Sequence, residues 1–194
     1  MISLKRTNWL RLVVALLFGV LAFSFHGSQV YANEITDDIY ADFDSNTLIL
    51  MESLDQYTTK KENGALVFDV DKAVAEQQSQ EVIEVGEVLN LISRDIDNYG
   101  FHDGAEPVLR ALFPIGSYGN YCGKGNKGWN KNPIDDLDSA CREHDKCFQG
   151  FNAKSKACNR AFVRRLLPIV QTNSPLTYKG AYAAAALKLF SSNM

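Results

Sequence analysis

Every cysteine of the 194-residue chain lies between positions 122 and 158, at Cys122, Cys141, Cys147 and Cys158. Four sulfurs so close together are enough for two bridges or for one metal site, and either would knot that stretch tightly. The compartment decides between them. Lys5, Arg6 and Arg11 open the chain, Leu12 to Phe25 is an unbroken apolar and small-residue run, and Val30-Tyr31-Ala32 is a small-residue cleavage site. This is the layout of a secretory leader, and the run is shorter than the roughly 20 residues of a membrane-spanning helix. An uncleaved anchor is the alternative, with the same consequence that the remainder is exported. Export favours disulfides over zinc, and the protein is expected to be secreted.

Residues 1–32 are therefore read as a signal peptide, and the fold concerns the rest. With 46% hydrophobic and 22% charged residues the chain is globular. Its charge is unevenly spread. Residues 33–100 hold 16 acidic and four basic residues, whereas residues 101–194 hold 7 acidic and 13 basic ones. The net values, −12 and +6, suggest two parts with different roles. Solubilised helical surfaces would account for them. So would an acidic pro-segment docked within the molecule on a basic partner.

The acidic part reads mostly as helix. Asp71 is a plausible N-cap, and no glycine or proline interrupts Lys72 to Val85. Val82, Val85, Leu89, Ile92 and Ile96 make one apolar stripe, a packing face because its flanks are acidic. Residues 47–57 suggest another short helix, Lys60 to Gly64 a turn, and Ala65 to Val70 a strand. A turn-rich joint, Asn98 to Gly104, places a soft boundary after residue 104. A short helix from Pro107 is predicted beyond it. The domains are thus 1–32, 33–104 and 105–194. Near the C-terminus, Tyr178 to Phe190 is an alanine-rich helix with Tyr182, Ala186, Leu189 and Phe190 on one face. Lys179 and Lys188 bracket it, which argues for packing over membrane insertion.

The chemistry lies between these elements. Residues 121–128 read Tyr-Cys-Gly-Lys-Gly-Asn-Lys-Gly, a glycine loop able to aim several carbonyls or N–H groups at one spot. It lacks the Lys-Ser/Thr pair of a nucleotide-phosphate loop. Downstream, Cys141, His144, Asp145 and Phe148 fall at helical steps of three and four. A helix tied by cysteines on both sides of His144 can hold an imidazole and a carboxylate against the loop. Carboxylate and loop carbonyls are hard oxygen ligands suited to Ca²⁺, and the histidine can take a proton from water. The cation and a loop N–H can steady the oxyanion of an ester. A Cys₃His zinc site is the rival reading of the same residues. Against it, three-residue steps drift around a helix axis and export favours bridges. His26 and His102 have no such company.

The two motifs, Tyr121 to Gly128 and Asp138-Ser-Ala-Cys-Arg-Glu-His-Asp-Lys-Cys147, resemble the secreted phospholipases A2 over about residues 106–165. The family pattern is a Y-C-G-x-G-x-x-G loop followed by a D-x-C-C-x-x-H-D-x-C helix. The resemblance implies a mainly α fold, with a disulfide-linked antiparallel helix pair and a calcium loop, preceded here by the acidic helical segment. It implies Ca²⁺ held by the carbonyls of Tyr121, Gly123 and Gly125 and by Asp145, with His144 as general base and the Gly123 N–H facing the oxyanion. The implied reaction is cleavage of glycerophospholipid sn-2 esters, at a membrane or micelle surface. Nucleic acid is not an expected partner, and a monomer is expected. The implied bridges are Cys122–Cys141 and Cys147–Cys158.

The departures from the family pattern are specific. Ala140 and Arg165 stand where the halves of one further bridge would be, so both are missing together. Asn159 replaces a frequent aspartate that orients the histidine, and Phe148 replaces a frequent tyrosine. This reduced set resembles the prokaryotic and plant-type branches. An amide can orient an imidazole but cannot stabilise its cation as a charge does, so a catalytically silent membrane-binding or toxin-like relative is the alternative. Trp129, in an extra stretch after the loop, reads either as an interfacial anchor or as an ordinary partly buried indole.

Overall fold

The computed structural model of the chain describes residues 40–99, 117–123, 129–150 and 156–194. The leader, the joint at 100–104, the helix expected from Pro107, and Lys124 to Gly128 lie outside the described residues, as does the side chain of Phe148.

Helix α1, Ser45–Asp55, begins where the Asp44 carboxylate accepts the Thr47 N–H at 2.8 Å. Its inward residues are Thr47, Leu50, Met51 and Leu54. Strands β1, Thr58–Lys60, and β2, Leu66–Phe68, then pair antiparallel with Thr58 opposite Phe68 and Lys60 opposite Leu66. Gly64, at φ 85°, supplies the left-handed turn residue between them. This agrees with the expected turn and second strand; β1 was not foreseen.

The acidic segment departs from expectation at its centre. The cap is Asp69, which accepts the Lys72 N–H at 2.9 Å, and helix α2 covers only Val70–Ala75. Gln77 takes a left-handed φ of 56°, and the Gln78 N–H reaches back to the Ala73 carbonyl at 3.0 Å. Ser79 then opens α3, Gln80–Tyr99, its carbonyl taking the Ile83 N–H and its hydroxyl facing the Val82 N–H. The physical reason for the break is local. A serine can restart a helix by capping it, and that competes with continuing the first one.

The α3 stripe is buried as the periodicity required: Val82, Val85, Leu89, Ile92 and Ile96 are all core. Polar residues on the same helix complete the hairpin. Asn90 accepts the Phe68 N–H and donates to the Phe68 carbonyl, both at 2.8 Å, while Ser93 Oγ accepts the Leu66 N–H at 3.2 Å. The helix thus covers what would otherwise be an open edge of the hairpin. Gly86 lies where a Cβ would overlap the Phe68 ring, which explains a glycine inside a 20-residue helix.

The remaining helices are α4, Asp136–Gly150, α5, Lys156–Thr172, and α6, Tyr178–Ser191. His144 of α4 meets Asn159 and Phe162 of α5, and Cys147 meets Cys158. The partners run in opposite sequence directions, as in an antiparallel pair. The molecule is therefore mainly helical and disulfide-linked, as expected.

Helix α6 is more deeply placed than a one-faced packing helix. Gly180 to Leu189 are all buried, on every side. Its alanines let α3 and α5 approach closely from different directions. Lys188 is buried too, and its ammonium pairs with the Asp55 carboxylate of α1. Residues Phe43–Met194 form one compact unit. The acidic helices and the cysteine-bearing helices thus share one core, and apolar packing of α3 against α6 joins the charge halves. No helix among the described residues is long and apolar enough to cross a membrane.

Two outcomes follow from this packing. Gly86→Ala should lower stability by about 1–3 kcal/mol, because overpacking against Phe68 outweighs the gain of roughly 1 kcal/mol in helix propensity. Urea unfolding measures the sign. Residues 105–194 produced without 33–104 should be insoluble, because α6 loses the cover of Val85, Leu89 and Ile92. A soluble, folded fragment by circular dichroism would contradict that.

Candidate active site

The site is built on the first three turns of α4. Asp135 caps the helix: its carbonyl accepts the Ser139 N–H at 2.9 Å and its carboxylate accepts the Asp138 N–H at 3.0 Å. The same carboxylate accepts the Tyr118 hydroxyl and faces Lys179 at 3.4 Å. Burial opposes ionisation of Asp135, but the Asp138 N–H, the Tyr118 hydroxyl and the Lys179 charge outweigh it and hold the carboxyl below its usual range.

Asp138, fully buried, fastens the loop to the helix. Its Oδ1 accepts the backbone N–H groups of Asn120 at 2.9 Å and Tyr121 at 2.7 Å, and its Oδ2 accepts that of Ile134 at 3.0 Å. Gly119, at φ 61°, passes so close that a Cβ would overlap this carboxylate. The loop closes on itself at Tyr118 and Cys122, which exchange backbone hydrogen bonds of 3.1 and 3.2 Å. Cys122 is then bonded to Cys141 on α4, with Cα atoms 5.0 Å apart. Cys141 precedes Asp145 by four residues, so the bridge and the carboxylate share a helix face. The loop is therefore held to α4 both covalently at Cys141 and through Asp138.

The loop's aromatic residue, Tyr121, is also fully buried and donates its hydroxyl to the Lys131 carbonyl. The Arg142 guanidinium lies over its ring at 5.4 Å, and the exposed Trp129 lies beside it with centroids 5.9 Å apart. Trp129 is thus an outward aromatic at the edge of the loop. Gly123, exposed and at φ 91°, turns the backbone where the loop leaves the described residues. Gly125 lies beyond that point.

His144 sits among aromatic rings. It stacks on Phe162 at 4.4 Å and 18°, and meets the edge of Phe190 at 4.8 Å and 77°. Its Nε2 lies 3.1 Å from Asn159 Oδ1. Burial pushes the imidazole down to about 4, with the Asn159 bond acting in the opposite direction. The ring is neutral at neutral pH, the form that can take a proton. The cysteines pair as Cys122–Cys141 and Cys147–Cys158, the pairing that the resemblance implies, and no cysteine is free. A Cys₃His zinc site would need thiolates that these bridges consume.

Several contributors were not singled out from sequence: the clamp role of Asp138, Gly119 beneath it, and the Phe162 and Phe190 walls. A usable signal existed for the first. Asp138, Cys141 and Asp145 are spaced i, i+3, i+7, so Asp138 points where the loop must be. Asp138→Ala should cost about 2–5 kcal/mol, since three N–H donors, one buried and two partly buried, lose their acceptor. Asp138→Asn should cost less, because an amide oxygen can still serve Asn120 and Tyr121. Denaturant unfolding of both variants tests the order.

Comparison with known proteins agrees with this architecture. Residues 103–182 match the family model described as phospholipase A2. Phospholipase A2 OS1 of Oxyuranus scutellatus scutellatus is 46% identical over 50 residues, 26% of this chain and 30% of that protein. Basic phospholipase A2 1 of Naja melanoleuca is 49% identical over 39 residues, 20% of this chain and 30% of its own length. Acidic phospholipase A2 2 of Naja sagittifera is 40% identical over 53 residues, 27% of this chain and 39% of its own. The chain thus spans about a third of the length of these relatives. No solved structure matches it. Residues 103–182, which carry the tied helix and the loop fastened to it, are thus similar to the phospholipase A2 family.

Proposed function

We propose that the protein is an exported, calcium-dependent phospholipase A2 that releases a fatty acid and a lysophospholipid from the sn-2 ester of glycerophospholipids. The observation that carries this reading is an imidazole packed between Phe162 and Phe190, oriented by Asn159 and adjacent in sequence to Asp145, on a helix bridged to the loop through Cys141. His144 takes the proton from an attacking water and returns it to the departing alkoxide, so no covalent acyl-enzyme forms. The Gly123 N–H donates to the oxyanion of the tetrahedral species.

The donor set suits calcium. Cys122 uses its own carbonyl on Tyr118, and the oxygens assigned to the ion are those of its neighbours Tyr121 and Gly123, with Gly125 and the Asp145 carboxylate. Among the described residues no three His, Cys, Asp or Glu side chains cluster as a metal site. The assigned set differs from such a cluster in taking most of its oxygens from backbone. When bound, the ion would supply positive charge to the ester oxygen. The partner is a phospholipid surface. The basic charge of residues 101–194 and the exposed Trp129 favour approach to it. We assign no nucleic-acid partner, and a monomer as the working state. The missing bridge at Ala140 and Arg165 favours a prokaryotic or plant-type branch.

A second reading has one observation in its favour. Asn159 brings no charge to the imidazolium formed during turnover, which suits a membrane-binding relative with little activity. Mixed phospholipid vesicles separate the two. Fatty acid should appear with calcium and disappear with chelator, and His144→Gln should lose about 10²–10⁴-fold in rate. Equal release with chelator, or full activity in His144→Gln, rejects the mechanism. Vesicle binding without release supports the second reading.

A further inference from the structure

Asn159 uses both ends of its amide. Its Oδ1 faces His144 Nε2 at 3.1 Å, and its Nδ2 donates to the backbone carbonyl of Asn193 at 3.2 Å. The two ends of an amide exchange places by a half-turn about one bond, and only the surrounding partners decide which way it points. A backbone carbonyl can only accept. Asn193 therefore selects the orientation that gives it Nδ2 and gives the imidazole Oδ1. An oxygen facing Nε2 requires the ring proton there, which leaves the ring lone pair on Nδ1.

The residue doing this selecting is itself fastened. The Asn193 side-chain amide donates to the Leu189 carbonyl at 2.8 Å and to the Gly64 carbonyl at 3.0 Å. The first bond folds the turn after α6 back on the helix. The second ties that turn to the β1–β2 loop, and Lys60 at the end of β1 also donates to the neighbouring Ser192 carbonyl. A line of hydrogen bonds thus runs from the hairpin of the acidic segment, through Asn193 and Asn159, to the imidazole.

We propose that Asn193 is a positioning residue for His144: by holding its carbonyl against Asn159 it fixes the amide orientation, and through it the ring tautomer that keeps Nδ1 as the proton acceptor. The inference rests on the reading of His144 as general base. It also gives the hairpin around Gly64 a part in the site, although no residue of the hairpin contributes to either motif.

Nitrogen-15 NMR of the full chain with labelled histidine, at neutral pH, reads the tautomer without substrate. The wild-type ring should carry its proton on Nε2. In Asn193→Ala the turn is released, a population with the proton on Nδ1 should appear, and kcat should fall about tenfold with KM within about twofold. In an Asn159→Asp background both terminal oxygens accept, so there is no orientation to lose. Adding Asn193→Ala there should change kcat by less than about twofold. Ser192→Ala, which loosens the same turn by losing its bond to the Lys188 carbonyl, should leave the tautomer unchanged. A wild-type ring protonated on Nδ1 overturns the proposal. So does Asn193→Ala with unaltered tautomer and kcat, or an equal loss in both backgrounds. If Asn193→Ala fails to fold, the isosteric Asn193→Asp and the wild-type tautomer decide. A wild-type protein that releases no fatty acid would reject the functional reading, and the NMR result would still judge this one.

Discussion

A single buried carboxylate sets the geometry of the site. Asp138 accepts three backbone N–H groups, two from the loop and one from the segment leading into α4. Charge-assisted bonds of this kind are about twice as strong as neutral ones, and in a dry setting their directions are enforced. Without Asp138, the Cys122–Cys141 bridge would fix one point of the loop and leave its rotation open. With it, the loop has two attachments on the same helix face, and Gly119 is the only residue type that permits such closeness. The bridge sets the distance and the carboxylate sets the angle.

The imidazole is governed by two opposing influences of unequal size. Aromatic burial by Phe162 and Phe190 disfavours the cation, and the Asn159 oxygen favours a proton on Nε2. Burial wins, so the ring rests neutral. An aspartate at the same position would pull toward the imidazolium as well as orient the ring. Asn159 does only the second. The orientation of the ring therefore depends on Asn159 and on the Asn193 carbonyl at the other end of its amide.

Much of this was legible in the chain. The α3 stripe follows from helical periodicity, whereas the cysteine pairing and the α4–α5 pair are what the resemblance to the secreted phospholipases A2 implies. Other features were not. The break at Gln77 depends on a left-handed residue that no glycine announced, with Ser79 restarting the helix. Gly86 sits inside α3 because the ring of Phe68, distant in sequence, fills the space a Cβ would need. Lys188 read as a polar bracket because sequence shows the charge and not its partner; Asp55, from the far side of the chain, makes its burial tolerable. Asn193 belongs to no motif, and its contacts reach back to Gly64.

These long-range contacts also account for the charge asymmetry. A segment held only by opposite charges would be loosened by salt, since surface attractions are screened beyond about 8–10 Å at ordinary ionic strength. Here α3 meets α6 through valine, leucine, isoleucine and alanine, which salt does not weaken, and the acidic side chains are left to face water. Asp55, at the end of α1, pairs with the buried Lys188 of α6. The acidic half is thus joined to the basic half by shape and burial, with charge left to the surfaces of both. The hairpin can then hold Asn193 in place under conditions where a charge-docked segment would already have let go.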